Sequence, residues 1–148
     1  MSDSVIVSAV LGGFGLMITF VYNYHSRKLS NDRMSKDLFT EFNARYNQFN
    51  DSLNKISECK SEKDFEKLEN HDKLKNDLVD YFNLCAEEYF WFKKGRIDPL
   101  MWEAWSAGMN DWYKYPFIQE VWENEINEFG CKSYYIKDKN EFFLKIKK

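Results

Sequence analysis

Residues 87–105, EEYFWFKKGRIDPLMWEAW, contain the end of one helix and the start of the next. Gly95 follows two lysines; glycine commonly ends helices because it tolerates the left-handed backbone, and cations suit a helix C-terminus. Asp98 followed by Pro99 is a typical N-cap and first helical position. The segment therefore predicts two helices joined by a turn, and with them a mainly α fold.

Apolar residues at intervals of three and four extend this pattern in both directions. They predict a helix up to about residue 57, a second over 73–94, a third from Pro99 and a fourth over 117–129. The predicted buried faces are Leu38, Phe42, Tyr46, Phe49, Leu53 and Ile56; Leu74, Leu78, Tyr81, Phe82, Cys85, Tyr89 and Phe92; Met101, Trp102, Trp105, Met109, Trp112 and Tyr113; and Phe117, Val121, Trp122, Ile126 and Phe129.

The N-terminal stretch over residues 4–24, SVIVSAVLGGFGLMITFVYNY, has no charged residue. At a rise of about 1.5 Å per residue it is long enough for the ~30 Å hydrocarbon core, so it predicts a single transmembrane helix with membrane lipid as its partner. Arginines and lysines follow it and none precedes it. The positive-inside rule then predicts the N-terminus outside and the remainder in the cytoplasm.

Small residues recur within this predicted span. Ser4, Ser8 and Gly12 are spaced four apart, and Ala9 and Gly13 form a second such pair. This spacing lets helix backbones approach closely and predicts self-association through these residues. The alternative is that small residues are simply common in membrane spans.

Four segments are expected along the chain: a transmembrane helix over 4–24, a juxtamembrane stalk helix over 25–57, a charged linker over 58–77 and an aromatic-rich helical domain over 78–148. In the tail, two apolar runs over 134–136 and 142–146 flank the sequence KDKN. That arrangement suits a β-hairpin packed on the helices. A C-terminal helix is the alternative.

Aromatic and basic residues lie next to each other around the central turn. A nucleobase stacks on aromatic faces and its phosphate pairs with cations, so a small nucleotide is a candidate ligand. The alternative is a two-helix core with a basic turn. The candidate ligand-binding residues are Trp91, Lys93, Lys94, Arg96, Trp102 and Trp105.

Composition argues against several other activities. The net charge of −3 disfavours binding to duplex nucleic acid. Three scattered cysteines and two histidines offer neither a disulfide framework nor a metal site. No catalytic motif is present, so the chain is expected to be neither an enzyme nor a cofactor protein. Glu87 and Glu88 are adjacent and point about 100° apart on a helix, which predicts one carboxylate at the core edge and one in solvent.

The layout as a whole resembles a family of uncharacterised bacterial membrane-anchored proteins. The resemblance rests on DYFNLCAEEYFWFKKGRID over residues 80–98 and on the tryptophan-containing helix that follows. It implies a location in the bacterial inner membrane, with the N-terminus outside and the C-terminal domain cytoplasmic. The family has no assigned activity, so the resemblance implies none.

Two functions follow as hypotheses. The first is a membrane-tethered cytoplasmic interaction or regulatory module that self-associates through the span and stalk and binds a protein partner. The second is a nucleotide-gated membrane effector in bacterial stress or antiviral defence.

Overall fold

The computed structural model describes the backbone of residues 3–141 and residue 143, with side chains from residue 11 onward. The chain is mainly helical, as the sequence predicts. The elements are α1 (Asp3–Ser57), α2 (Glu62–Phe65), α3 (His71–Lys93), α4 (Pro99–Tyr113), α5 (Pro116–Phe129) and a 3₁₀ turn (Cys131–Tyr134). The chain divides into two compact units, Met1–Asp37 and Leu38–Lys148. The second unit therefore contains the C-terminal part of α1 and all the later elements.

The turn between α3 and α4 has the features that its sequence predicts. Gly95 adopts a left-handed backbone with φ of 66°. The Asp98 carboxylate accepts a hydrogen bond from the backbone N–H of Leu100 at 2.8 Å, and Pro99 occupies the first helical position. A side-chain acceptor at this position satisfies an N–H group that the helix leaves unpaired. The start of α4 is thus set by local chemistry.

The core of the second unit is built from aromatic rings. Trp122 of α5 and Phe82 of α3 are fully buried with ring centroids 5.1 Å apart. Phe143, from the tail, lies 5.0 Å from Trp122 and stacks on Tyr113 of α4 at 4.6 Å. Such pairs add about 0.5–1.5 kcal/mol beyond the burial of their area. The tail ring therefore joins three elements around one cluster.

The charged region between α1 and α3 also contributes to the core. Phe65 of α2 is buried and stacks on Phe117 of α5 with centroids 4.8 Å apart. Cys59 is buried as well. The lysines and acidic residues around them remain on the surface, so a largely polar sequence still supplies two apolar contacts that attach it to the domain.

The transmembrane helix predicted over residues 4–24 is corrected by the structure. In the part of the chain whose side chains are described, no helix is both long and apolar enough to cross a membrane. Beyond Tyr24, α1 continues without a break through His25, Arg27 and Lys28. The predicted inner-membrane location, with the N-terminus outside and a cytoplasmic domain, rested on this span and is corrected with it.

The predicted C-terminal β-hairpin is also wrong. No strand occurs among residues 3–141, and the apolar positions of the second predicted arm lie outside the described residues except Phe143. The first arm fails because Tyr134 ends the 3₁₀ turn and Tyr135 has a left-handed φ of 56°, which is incompatible with an extended strand. The Tyr134 hydroxyl instead donates to Glu125 of α5 at 2.7 Å.

Candidate functional site

A pocket of about 140 Å³ lies where α1, α3 and α4 meet in the second unit. We call it the Glu88 pocket. Its wall combines aromatic rings, a carboxyl group and the small residues of one helix face. The lining residues are Asn43, Tyr46, Tyr81, Glu88, Ala104, Trp105, Gly108 and Met109. Ala104 and Gly108 are exposed. Because these two residues have little or no side chain, α4 leaves the pocket open at this edge.

Glu88 is the most unusual residue of the pocket. Its side chain lies on the buried face of α3, the residue is 5 % exposed, and no described residue donates a hydrogen bond to its carboxyl group. Burial raises the pKa of Glu88 to about 8, and the nearby Arg45 opposes this only in part. Glu88 is therefore mostly protonated at neutral pH, and the cost of burying a charge is avoided.

Arg45 compensates the charge of Glu88 only in part because its guanidinium is bound to the neighbouring carboxylate. Its guanidinium donates to both oxygens of Glu87, at 2.6 and 3.1 Å. Such two-point pairs hold both groups in a fixed geometry. Of the two adjacent glutamates, Glu87 is therefore paired with Arg45, whereas Glu88 is buried and has no hydrogen-bonded counter-ion among the described residues.

Tyr81 provides an unsatisfied polar group in the same pocket. The residue is 2 % exposed, and its hydroxyl oxygen has no hydrogen-bond partner in the described part of the chain. Burial raises the pKa of Tyr81 well above its usual value, with a further contribution from the buried thiol of Cys85. An unpaired buried hydroxyl costs about 1–3 kcal/mol, so a ligand that hydrogen-bonds to it would recover stability.

The other polar side chains of the pocket are fixed in place by hydrogen bonds. The indole N–H of Trp112 donates to the Tyr46 hydroxyl at 2.8 Å, and the Asn43 amide donates to the carbonyl of Phe39 at 2.8 Å. Trp105 stacks on Phe39 with centroids 6.0 Å apart. The pocket is therefore lined by orientated aromatic rings and oxygen atoms, and none of its lining residues carries a positive charge.

Of the six sequence-predicted ligand residues, only Trp105 lines this pocket. Lys93 binds Glu141 at 3.2 Å and lies over the Tyr89 ring at 4.8 Å. Lys94 lies over the ring of Phe90 at 5.4 Å. Both lysines of the predicted nucleotide site are therefore already in contact with other residues.

The other predicted ligand residues also have local roles. Trp102 stacks on Phe92 at 4.8 Å, and Trp91 packs edge-on against Phe90 at 5.4 Å. The backbone N–H of Arg96 donates to the carbonyl of Trp91 at 3.0 Å. The structure thus brings these tryptophans into helix packing and turn formation, not around a shared cavity.

Glu88 is the functional candidate that the sequence interpretation missed, although a signal was present. Tyr81, Cys85 and Glu88 are spaced four and three apart, so Glu88 occupies a position of the predicted apolar face of α3. A carboxyl group at such a position is buried, and buried ionisable groups cluster at functional sites. The helical spacing of Glu88 from Tyr81 and Cys85, and not its position beside Glu87, indicates that Glu88 is buried.

Other depressions of the second unit offer weaker chemistry. One of about 420 Å³ is lined by residues that include Arg45 and Glu87, which neutralise each other. Among the described residues, no group of three or more His, Cys, Asp or Glu side chains is placed to hold a metal ion. The Glu88 pocket is therefore the strongest candidate for a small ligand.

A second candidate surface lies on the first unit. Residues 11–24 of α1, called the apolar segment here, have no charged side chain. Their large apolar and aromatic side chains are 55–71 % exposed: Leu11, Phe14, Leu16, Met17, Ile18, Phe20, Val21, Tyr22 and Tyr24. Gly12 and Gly13 have open space around them, whereas the side chains of Ser4, Ser8 and Ala9 lie outside the described part.

Comparison with known proteins adds no assignment to this geometry: no protein-family model matches the chain, and no curated protein or solved structure is significantly similar to it.

Proposed function

We propose that the protein is a self-associating interaction module in which copies of the chain cover one another's apolar segments. The observation that carries this proposal is the exposure of large apolar side chains over residues 11–24. Isolated exposed apolar residues are common, but a contiguous apolar surface marks an interaction site. A helix that is apolar around most of its circumference is normally buried.

The energetics allow a stable assembly. Burying one large apolar side chain contributes about 1.5–3 kcal/mol. Association itself costs at least about 4 kcal/mol, and a micromolar complex needs about 8 kcal/mol net. Mutual burial of roughly four to eight such side chains is therefore sufficient. The apolar segment offers more than enough of them.

A second copy of the chain is the occupant that best matches this surface. An uncharged segment is complemented by another uncharged segment, because burying an unpaired charge against it would be costly. Open space beside Gly12 and Gly15 lets another helix backbone approach closely. Interaction, not catalysis, is thus the proposed role of this part of the chain.

The experiment compares two matched substitutions on the same helix. Leu16→Glu places a charge inside the apolar segment, and Leu29→Glu places it at an exposed leucine outside the segment; the two leucines are 64 % and 54 % exposed. We expect Leu16→Glu to weaken self-association of the full chain at least tenfold and Leu29→Glu to leave it unchanged. Native mass spectrometry and light scattering over a concentration series measure both effects.

A full-length chain that stays monomeric at high micromolar concentration would overturn the proposal. So would a monomer that sediments with lipid vesicles through the same residues, since lipid and not a second copy would then cover the segment.

The nucleotide-gated effector has less support. Its basic residues are engaged within the chain, Lys93 with Glu141 and Lys94 with Phe90. The open pocket is lined by a carboxyl group, which would repel a phosphate once ionised.

A further inference from the structure

We propose that the Glu88 pocket binds a compact organic cation, a protonated amine of about six to eight non-hydrogen atoms, with Glu88 as its counter-ion. This inference goes beyond the proposed self-association and does not depend on it, because the pocket lies in the second unit and the apolar segment in the first.

Glu88 has no hydrogen-bonded counter-ion within the described part of the chain. Glu88 is 5 % exposed and lines the pocket, while the nearest guanidinium, that of Arg45, binds Glu87 through two hydrogen bonds. A buried carboxylate is stable only when it is paired, so an ionised Glu88 needs a cation from outside the chain. An anionic ligand would meet repulsion and no compensating positive side chain among the lining residues.

The wall of the Glu88 pocket offers groups that can bind an ammonium ion. An ammonium group donates up to three hydrogen bonds, and the wall offers acceptors in the Glu88 carboxylate and in the unpaired hydroxyl oxygen of Tyr81. The side chains of Tyr46, Tyr81 and Trp105 line the same space. Aromatic rings attract cations, which favours an amine over a neutral molecule of the same shape.

Size limits the ligand further. The pocket has a volume of about 140 Å³. An apolar cavity of about 150 Å³ holds a molecule the size of benzene, whereas pockets for drug-sized ligands and nucleotides start near 300 Å³. A single ring or short alkyl chain bearing one amino group matches the space.

Binding of a cation must be coupled to proton release. The pKa of Glu88 is raised to about 8, so at pH 7 most molecules must lose a proton before the ion pair forms. The apparent affinity for an amine should therefore be about tenfold lower at pH 7 than at pH 9. The charged or titratable groups that face Glu88 are Arg45 and Tyr46 on α1 and Tyr81, Cys85 and Glu87 on α3; the α4 wall contributes Ala104, Trp105, Gly108 and Met109, which do not titrate.

The test is calorimetric titration of the full chain with cyclohexylamine and with cyclohexanol, which has the same shape without the charge. We expect the amine to bind at least tenfold more tightly than the alcohol at pH 9. At pH 7, titrations in buffers of different ionisation enthalpy should show release of close to one proton per bound amine. The amine itself stays protonated throughout because alkylamines have pKa values near 10.4.

Two substitutions identify the site. Glu88→Gln removes the ionisable group while keeping the shape, and we expect it to reduce amine affinity at least tenfold. Glu103→Gln, on the exposed side of α4, is the matched control and should leave amine affinity unchanged. Should Glu88→Gln fail to fold, Ala104→Phe blocks the open edge of the pocket from an exposed position and should also abolish binding.

Three outcomes would overturn the proposal. They are equal binding of the alcohol and the amine, an unchanged amine affinity in Glu88→Gln, and amine binding without proton release at pH 7. Absence of any amine binding at millimolar concentration would overturn it as well, and would leave the self-association proposal untouched.

Discussion

Gly108 lies in the interior of α4, where glycine costs about 1 kcal/mol relative to alanine. A Cβ atom added at this position would meet nothing within 4 Å. We expect Gly108→Ala to raise the free energy of unfolding by about 0.5–1 kcal/mol, measured by urea denaturation. Gly95→Ala is the control with the opposite sign, because Gly95 has a φ of +66° that side chains disfavour, and it should destabilise the protein by about 1 kcal/mol.

Glu88 should make stability depend on pH in the direction opposite to most carboxylates. Its pKa is about 8 in the folded chain against 4.5 for an ordinary glutamate, so the folded state keeps a proton that the unfolded state loses. The free energy of unfolding therefore falls between pH 4.5 and 8, by at most about 1.4 kcal/mol per pH unit. Below pH 4.5 both states are protonated, and the contribution is constant.

The glutamine in Glu88→Gln cannot ionise, so the pH dependence of stability that Glu88 contributes should disappear. The stability of this variant relative to the unmodified chain should rise steadily from pH 5 to pH 8 and be level outside that window. Urea denaturation at four pH values measures the difference. Parallel pH profiles for the two chains would mean that Glu88 is ionised throughout and carries no raised pKa.

At the scale of elements, the segment after the 3₁₀ turn is held by one carboxylate. Glu141 accepts hydrogen bonds from the Tyr89 hydroxyl at 2.8 Å, from Lys93 at 3.2 Å and from two backbone N–H groups of the tail. These donors, with Tyr89 the largest, lower the pKa of Glu141 to about 2. The tail also pairs with α5 through Lys139 and Glu123. Polar contacts therefore replace the strand pairing of the predicted hairpin.

Glu141→Gln should destabilise the protein by about 1–3 kcal/mol at pH 7, since hydrogen bonds to a charged acceptor are lost. Because the pKa of Glu141 is depressed, its contribution is present above pH 4.5 and disappears as the pH falls towards 2. The difference from the unmodified chain should shrink over that range in thermal or urea unfolding. Glu128→Gln, at an exposed position of α5, should change stability by less than about 0.5 kcal/mol.

At the scale of the whole molecule, the two units should be separable. The side chains of residues 11–33 are exposed, and the second unit begins at Leu38. A chain that starts at residue 30 should unfold with the same free energy as the full chain, within about 0.5 kcal/mol, because none of the removed side chains that the structure describes, those of residues 11–29, is buried. Analytical ultracentrifugation should show that it no longer self-associates. A large loss of stability would mean that the first unit supports the fold of the second.

Helix boundaries were predictable from the sequence because their signals are local. Gly95, Asp98 and Pro99 act through their own backbone angles and hydrogen bonds, and α4 begins where these residues predict. Helical spacing also identified most of the core, including Tyr81, Phe82 and Trp122. By contrast, Phe129 was a predicted core residue and is 56 % exposed, because it lies in the last turn of α5.

The two fold errors arose where a local pattern suits more than one structure. An apolar run predicts burial but not the kind of surface that covers it, and the described part of α1 is not apolar for long enough to span a membrane. Aromatic residues near the C-terminus suit a strand as well as a turn packed on helices. Contacts distant in sequence select the second: Tyr134 with Glu125, and Phe143 with Tyr113.

The helical class, most helix ends and the apolar faces are predictable from the sequence, since each depends on residues a few positions apart. The candidate site is not, because it depends on contacts between helices. Arg45 pairs with Glu87, 42 residues away, and so leaves Glu88 buried without a counter-ion beside the Tyr81 hydroxyl. Which of two adjacent carboxylates is neutralised depends on the packing of α1 against α3. The charge balance of a pocket therefore depends on how several helices pack together and cannot be deduced from one helix alone.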